Sequence, residues 1–148
     1  MKLLMKTSQI FNKKAVISIL FIFKSFTILS QSIMIPMDSD VQKNHLKAYG
    51  ITYFLLQNNI EVDWLLNYRG GSFLCKYAEE IEKECIYRGV SYEKISLNEK
   101  NDIYMQIANP QNNYDIVKLE KAPKIAVYSP KNKQPWDDAV TLVLEYAE

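Results

Sequence analysis

The chain has 148 residues, with 18 Lys and Arg against 17 Asp and Glu, and 48% of them are hydrophobic, which suits a folded domain and excludes a disordered tail. Only 4 Gly, 5 Pro and 2 Cys are present, so collagen-like, low-complexity and disulfide-framework architectures are excluded too. Five lysines (Lys2, Lys6, Lys13, Lys14 and Lys24) and no acid fall in residues 1–30; the other 13 basic and 17 acidic groups leave residues 31–148 at −4, no electrostatic footprint for nucleic acid.

Four of those lysines precede the apolar run Ala15 to Phe23, and the small polar residues Ser30-Gln31-Ser32 follow it. That order reads as a signal peptide over residues 1–30, cut after Ser30. The run is about half the length of a membrane-spanning helix, and Lys24 interrupts it, so no stable membrane span is expected after cleavage. With no Cys just after the run to take a lipid, the product is expected outside the cytoplasm, in the periplasm or beyond.

Ser32 to Met37 reads as a first strand, Asp38-Ser39-Asp40 as its loop, and Val41 to Gln57 as a helix with Leu46, Tyr49, Tyr53 and Leu56 on its inner face. Gly50 costs such a helix about 1 kcal/mol relative to Ala, which implies a close neighbour there. Ile60 to Leu66 is a second strand and Asn67 to Ser72 the loop after it. A helix from Lys76 to Arg88 stops at Gly89, and Val90 to Ile95 alternates as a third strand. Leu97 to Ala108 is a further helix candidate, broken at Asn109 to Asn113. Strand and helix alternate, so the expected class is α/β, with an open, mainly parallel sheet of βαβ units in the flavodoxin or Rossmann manner over residues 32–118.

Residues 119–123 read as a linker. Lys124 to Tyr128 starts a fresh strand, Ser129 to Gln134 is a polar loop, and Pro135-Trp136-Asp137-Asp138 opens a last helix with acids at its positive end. Residues 124–148 are therefore expected to begin a second flavodoxin-like domain of a longer chain. The alternative is that they add a strand and a helix to the first sheet.

In an open parallel sheet, ligands sit beyond the carboxyl ends of the strands. Asp38 and Asp40, the Arg69-Gly70-Gly71-Ser72 loop, and Lys131 with Asn132 and Lys133 all fall there. Two glycines ahead of a helix let backbone N–H groups approach an anion that Arg69 can grip with two donors. The other reading is a tight turn with Arg69 paired to an acid. Asp38 and Asp40 suit an acid/base pair or a divalent cation, or else cap the helix. His45, the only histidine, sits between Lys43 and Lys47 and reads as a surface or boundary residue. Cys85 reads as a core residue. Cys75 reads as a loop residue, too far from Cys85 for a bond, and it is a catalytic thiol only if some base activates it. No metal and no cofactor are expected.

Ile35-Pro36-Met37-Asp38, Gln42 to Gly50, Val62 to Phe73 (VDWLLNYRGGSF) and Pro123 to Pro130 together resemble a family of exported Bacteroidetes proteins commonly labelled asparagine synthetase B. The resemblance covers essentially all of residues 32–148. It implies that the chain is the N-terminal part of a longer protein, and that residues 124–148 begin a domain similar to class I glutamine amidotransferases. The label implies a glutaminase Cys at the mature N-terminus and an SGGxDS loop for ATP. Here Lys2 follows Met1 and Phe73-Leu74 follow Gly70-Gly71-Ser72, so no catalytic residue carries over. Three functions are then open. The first is a non-catalytic accessory domain. The second is an amide- or glycan-processing enzyme holding a small anionic or sugar ligand between Asp38, Arg69, Ser72 and Lys131. The third is the ATP-dependent ligase of the label.

Overall fold

A computed structural model describes residues 31–127 and 139–147. Its elements run β1 (Ser32–Ile35), α1 (His45–Gln57), β2 (Val62–Leu66), β3 (Phe73–Lys76), α2 (Glu79–Arg88), β4 (Glu93–Ile95), α3 (Leu97–Ile107), β5 (Asp115–Leu119) and α4 (Ala139–Ala147). Short 3-10 turns occupy Tyr68–Gly70 and Pro110–Asn112.

The sheet order is β4-β1-β3-β2-β5, and every adjacent pair is antiparallel. This corrects the open, mainly parallel sheet of flavodoxin or Rossmann type expected from the sequence. Two strands absent from the sequence reading cause the difference. Residues 73–76 form β3, where a loop and the start of a helix were expected, and residues 115–119 form β5, reaching into the expected linker. β1 and β2 do run the same way, because each is antiparallel to β3, but β3 lies between them. Likewise β3 and β4 run the same way on either side of β1. Two interleaved split βαβ units result, the connectivity known as ferredoxin-like, with α3 and β5 appended.

Alternation along the strands gives the sheet two apolar faces. Ile33, Ile35, Val62, Phe73 and Cys75 meet Ala48, Ile51 and Leu55 of α1 and Ile81 and Cys85 of α2 on one face. Met34, Leu65 and Leu74 meet Ile103 and Ile107 of α3 on the other. Each such large side chain contributes roughly 1.5–3 kcal/mol by leaving water. The inner face of α1 differs in part from the expected one: Leu56 is buried as expected, but Leu46 and Tyr49 are exposed, and Ala48, Ile51 and Leu55 make up the rest of the buried row. Cys75, expected in a loop, is a buried β3 residue, and both cysteines are free thiols.

Local signals set the helix ends. α2 places Glu79, Glu80 and Glu82 in its first turn and Arg88 in its last, and Gly89 at φ 66° ends it. Ser96 and Glu99 form a reciprocal capping box at the start of α3. α1 begins only at His45, behind Asn44, so the cap expected from Ser39 or Asp40 is not made. α4 lies against α1, where a Cβ on Gly50 would overlap the Ala147 carbonyl. Residues 124–127 form no strand; Tyr128, the 129–134 loop and Pro135 to Asp138 lie outside the described residues.

Candidate functional site

The loop after β2 and the loop after β1 meet at one end of the sheet. Asn67, Arg69, Gly70 and Gly71 all adopt positive φ, which coils residues 67–71 tightly enough to turn β2 back into β3. At Gly70 this geometry is obligatory, since a Cβ there would overlap the Met37 carbonyl. The Met37 N–H donates to the Arg69 carbonyl at 3.1 Å, which ties the two loops. The His45 Nε2–H donates to the Met37 carbonyl at 3.1 Å, which brings the start of α1 to the same point.

The Arg69 guanidinium closes the junction. It makes a two-pronged pair with Glu93 of β4, Nη1–Oε2 at 2.8 Å and Nη2–Oε1 at 2.9 Å. Its Nε reaches Asp38 Oδ2 at 3.2 Å and its Nη2 lies 3.5 Å from Asp38 Oδ1. Hydrogen bonding to Glu93 pushes the guanidinium's pKa upward, partial burial opposes this, and Asp38 adds to the rise. Nearby, burial raises the Tyr68 hydroxyl.

The loop's other polar groups are spent in the same way. The Gly71 and Ser72 N–H groups donate to the Tyr68 carbonyl at 3.0 and 3.1 Å, and the Trp64 indole N–H donates to the Gly71 carbonyl at 3.1 Å. Ser72 is fully buried and its hydroxyl donates to the Arg69 carbonyl at 3.0 Å. An anion placed here would have to displace two carboxylates from Arg69 and would find those two N–H groups occupied. The structure therefore brings Asp38, Arg69, Gly70, Gly71 and Ser72 together as a structural clasp. Asp40 is exposed beside it, and Lys131 lies outside the described residues.

Gln42 belongs to the same junction and gave no sequence signal of its own. It is 1% exposed, and its amide donates to the Pro36 and Ser91 carbonyls while its oxygen accepts from the Asn44 and Ser91 N–H groups. A buried Gln so fully paired fixes the exits of β1 and the approach to β4.

Burial pushes the Cys75 thiol up to about 12 and the Cys85 thiol up to about 11, which favours the protonated thiol over the nucleophilic thiolate at neutral pH. Among the described residues, no three His, Cys, Asp or Glu side chains group as a metal site, and no helix is long and apolar enough to cross a membrane.

An apolar cleft of about 400 Å³ lies between α1 and the end of the chain, lined by Tyr49, Gly50, Tyr53, Ile125, Val127, Leu144 and Ala147. α4 roofs it. The Arg88 Nη1–H donates to the Ala147 carbonyl at 3.3 Å, and the Lys47 ammonium stands 5.1 Å above the Tyr146 ring. On α4, Val140, Leu142, Val143 and Tyr146 are all exposed.

No family model, curated protein or solved structure matches this chain.

Proposed function

We propose that the chain is a non-catalytic accessory domain of an exported protein, working by docking on a larger polypeptide through the face that α4 and α1 present. The observation that carries this reading is α4 itself. Seven of its nine residues are apolar, with Thr141 and Glu145 marking its one polar side, and Val140, Leu142, Val143 and Tyr146 are exposed. An apolar face this wide, with four large side chains exposed, suits a helix that another polypeptide covers. Tyr49 of α1, Ile125 and Val127 line the cleft beside α4 and are exposed as well.

The lysine-led apolar run before Ser30 supports export, and the VDWLLNYRGGSF resemblance supports a longer exported polypeptide as the partner in cis. The engaged state of Arg69 and Ser72 counts against an enzyme centred on that loop.

The test is to purify the native protein from its own cells, measure its intact mass, and label it with hydroxyl radicals. The expected product begins at Gln31 or Ser32, extends past Glu148, and protects Leu142, Val143 and Tyr146 relative to Tyr87, which is 88% exposed. Labelling of α4 as complete as that of Tyr87 would refute the docking role.

A further inference from the structure

The sheet face under α3 is apolar only where the helix lies on it. Farther along, the strand register sets Lys118 of β5 beside Asp63 of β2 and Asp63 beside Leu74 of β3, and alternation puts Lys76 on the same face. Lys100 and Tyr104 of α3 overhang this region. Together with Asn59, Ile60, Glu61 and Ile116 they enclose a crevice of about 620 Å³, within the size range of small-molecule sites.

Its charges are unevenly satisfied. Lys118 closes on Glu61 at 2.7 Å. The Asp63 carboxylate accepts from the Tyr104 hydroxyl and has Lys100 only at 4.0 Å; the Lys100 ammonium also hangs 5.1 Å over the Tyr104 ring. Burial and the hydrogen bond to Asp63 raise the Tyr104 pKa, so that hydroxyl stays a donor to Asp63. Lys76 has no ion pair among the described residues. Three ammonium groups thus face two carboxylates, and both carboxylates are already answered.

We propose that this crevice binds a small organic anion, its carboxylate or phosphate head held by Lys76 and Lys100 and its apolar part on Ile60, Leu74 and Ile116. Lys100 is placed to serve because its contact with Asp63 is long, so it can turn to a ligand while the Tyr104 hydroxyl keeps Asp63 hydrogen-bonded. The Asn59 amide supplies a neutral donor at the rim. The site is on the opposite sheet face from α1 and shares no residue with the Arg69 clasp, so it stands or falls independently of the docking role.

The experiment is thermal unfolding of the purified chain in rising citrate or inorganic phosphate, with ionic strength held constant by sodium chloride. A saturable rise in Tm is expected with at least one probe, and which probe works tells a carboxylate head from a phosphate head. Lys76→Ala and Lys100→Ala should each weaken the response about tenfold, the loss expected for one charge-assisted hydrogen bond. Lys43→Ala, remote from the crevice, should leave it unchanged. No saturable shift with either probe, or a shift that survives the Lys76→Ala/Lys100→Ala double variant, would overturn the proposal.

Discussion

Arg69 sits at a left-handed position, φ 45° and ψ 52°, that a non-glycine residue holds only when its surroundings require it. The requirement here is the reach to Asp38 and Glu93, which joins the loops after β1 and β2 to β4. Replacing Arg69 with Met should cost about 1–2 kcal/mol in urea unfolding, a moderate figure because all three side chains are about a third exposed. Arg69→Lys should restore only part of this, since an ammonium cannot reproduce the two-pronged contact with Glu93. An unchanged midpoint in both variants would mean that the clasp carries no stability. The two thiols make a second residue-scale prediction. With values near 12 and 11 they should resist a disulfide exchange reagent at pH 8 in the native chain and react fully in urea. Rapid native reaction at Cys75 would return it to the catalytic candidates.

Among the elements, α2 and β4 are joined by one carboxylate. Glu82 accepts from the Tyr77 hydroxyl at 3.0 Å and the Tyr92 hydroxyl at 2.8 Å, and pairs with Lys94 at 2.7 Å. The contact with Lys94, then that with Tyr92, holds the Glu82 carboxyl below its ordinary value of 4.5. A folded value below the unfolded one gives stability that is present above pH 4.5 and lost as pH falls through the folded value. The tyrosines carry the opposite sign. Hydrogen bonding to Glu82 raises Tyr77 and Tyr92 above 10.0, so their contribution is present below that pH and lost as pH rises through the raised values. The Tm gap between wild type and Glu82→Gln should therefore be flat near neutrality and close at both extremes. A gap that widens in acid would contradict the assignment. In the sequence these side chains fall in an expected helix, Lys76 to Arg88, and an expected alternating strand, Val90 to Ile95, but their convergence was not legible. It depends on β4 lying next to β1, antiparallel to it, in place of the expected parallel sheet. β3 escaped notice because four residues directly after a glycine turn give no period to count, and Lys76-Tyr77 read as the onset of the next helix. β5 escaped because an edge strand with three of its five residues exposed resembles a charged linker. One unseen strand between β2 and α2 is enough to turn two neighbouring parallel strands into two separated ones.

On the scale of the whole molecule, what the sequence showed best was what local chemistry decides: the Gly89 stop, a buried Cys85, and a close neighbour at Gly50. What it hid was long-range, such as the exposure of Leu46 and Tyr49 and the carboxylates that meet Arg69. Gly50 offers the sharpest test of the assembled fold, because two effects of opposite sign act on it. Within α1 taken alone, Gly50→Ala should stabilise by about 0.5–1 kcal/mol through helix propensity. In the full chain the added Cβ would overlap the Ala147 carbonyl, so α4 must shift and give up the contacts of Leu144 and Ala147 as well as the hydrogen bond from Arg88. The expected outcome is a net loss of about 1 kcal/mol or more in the full chain. In a chain ended after Val127, the same substitution should change sign and stabilise. Chemical unfolding of the four proteins forms a closed comparison, and stabilisation by Gly50→Ala in both backgrounds would show that α4 does not rest on α1.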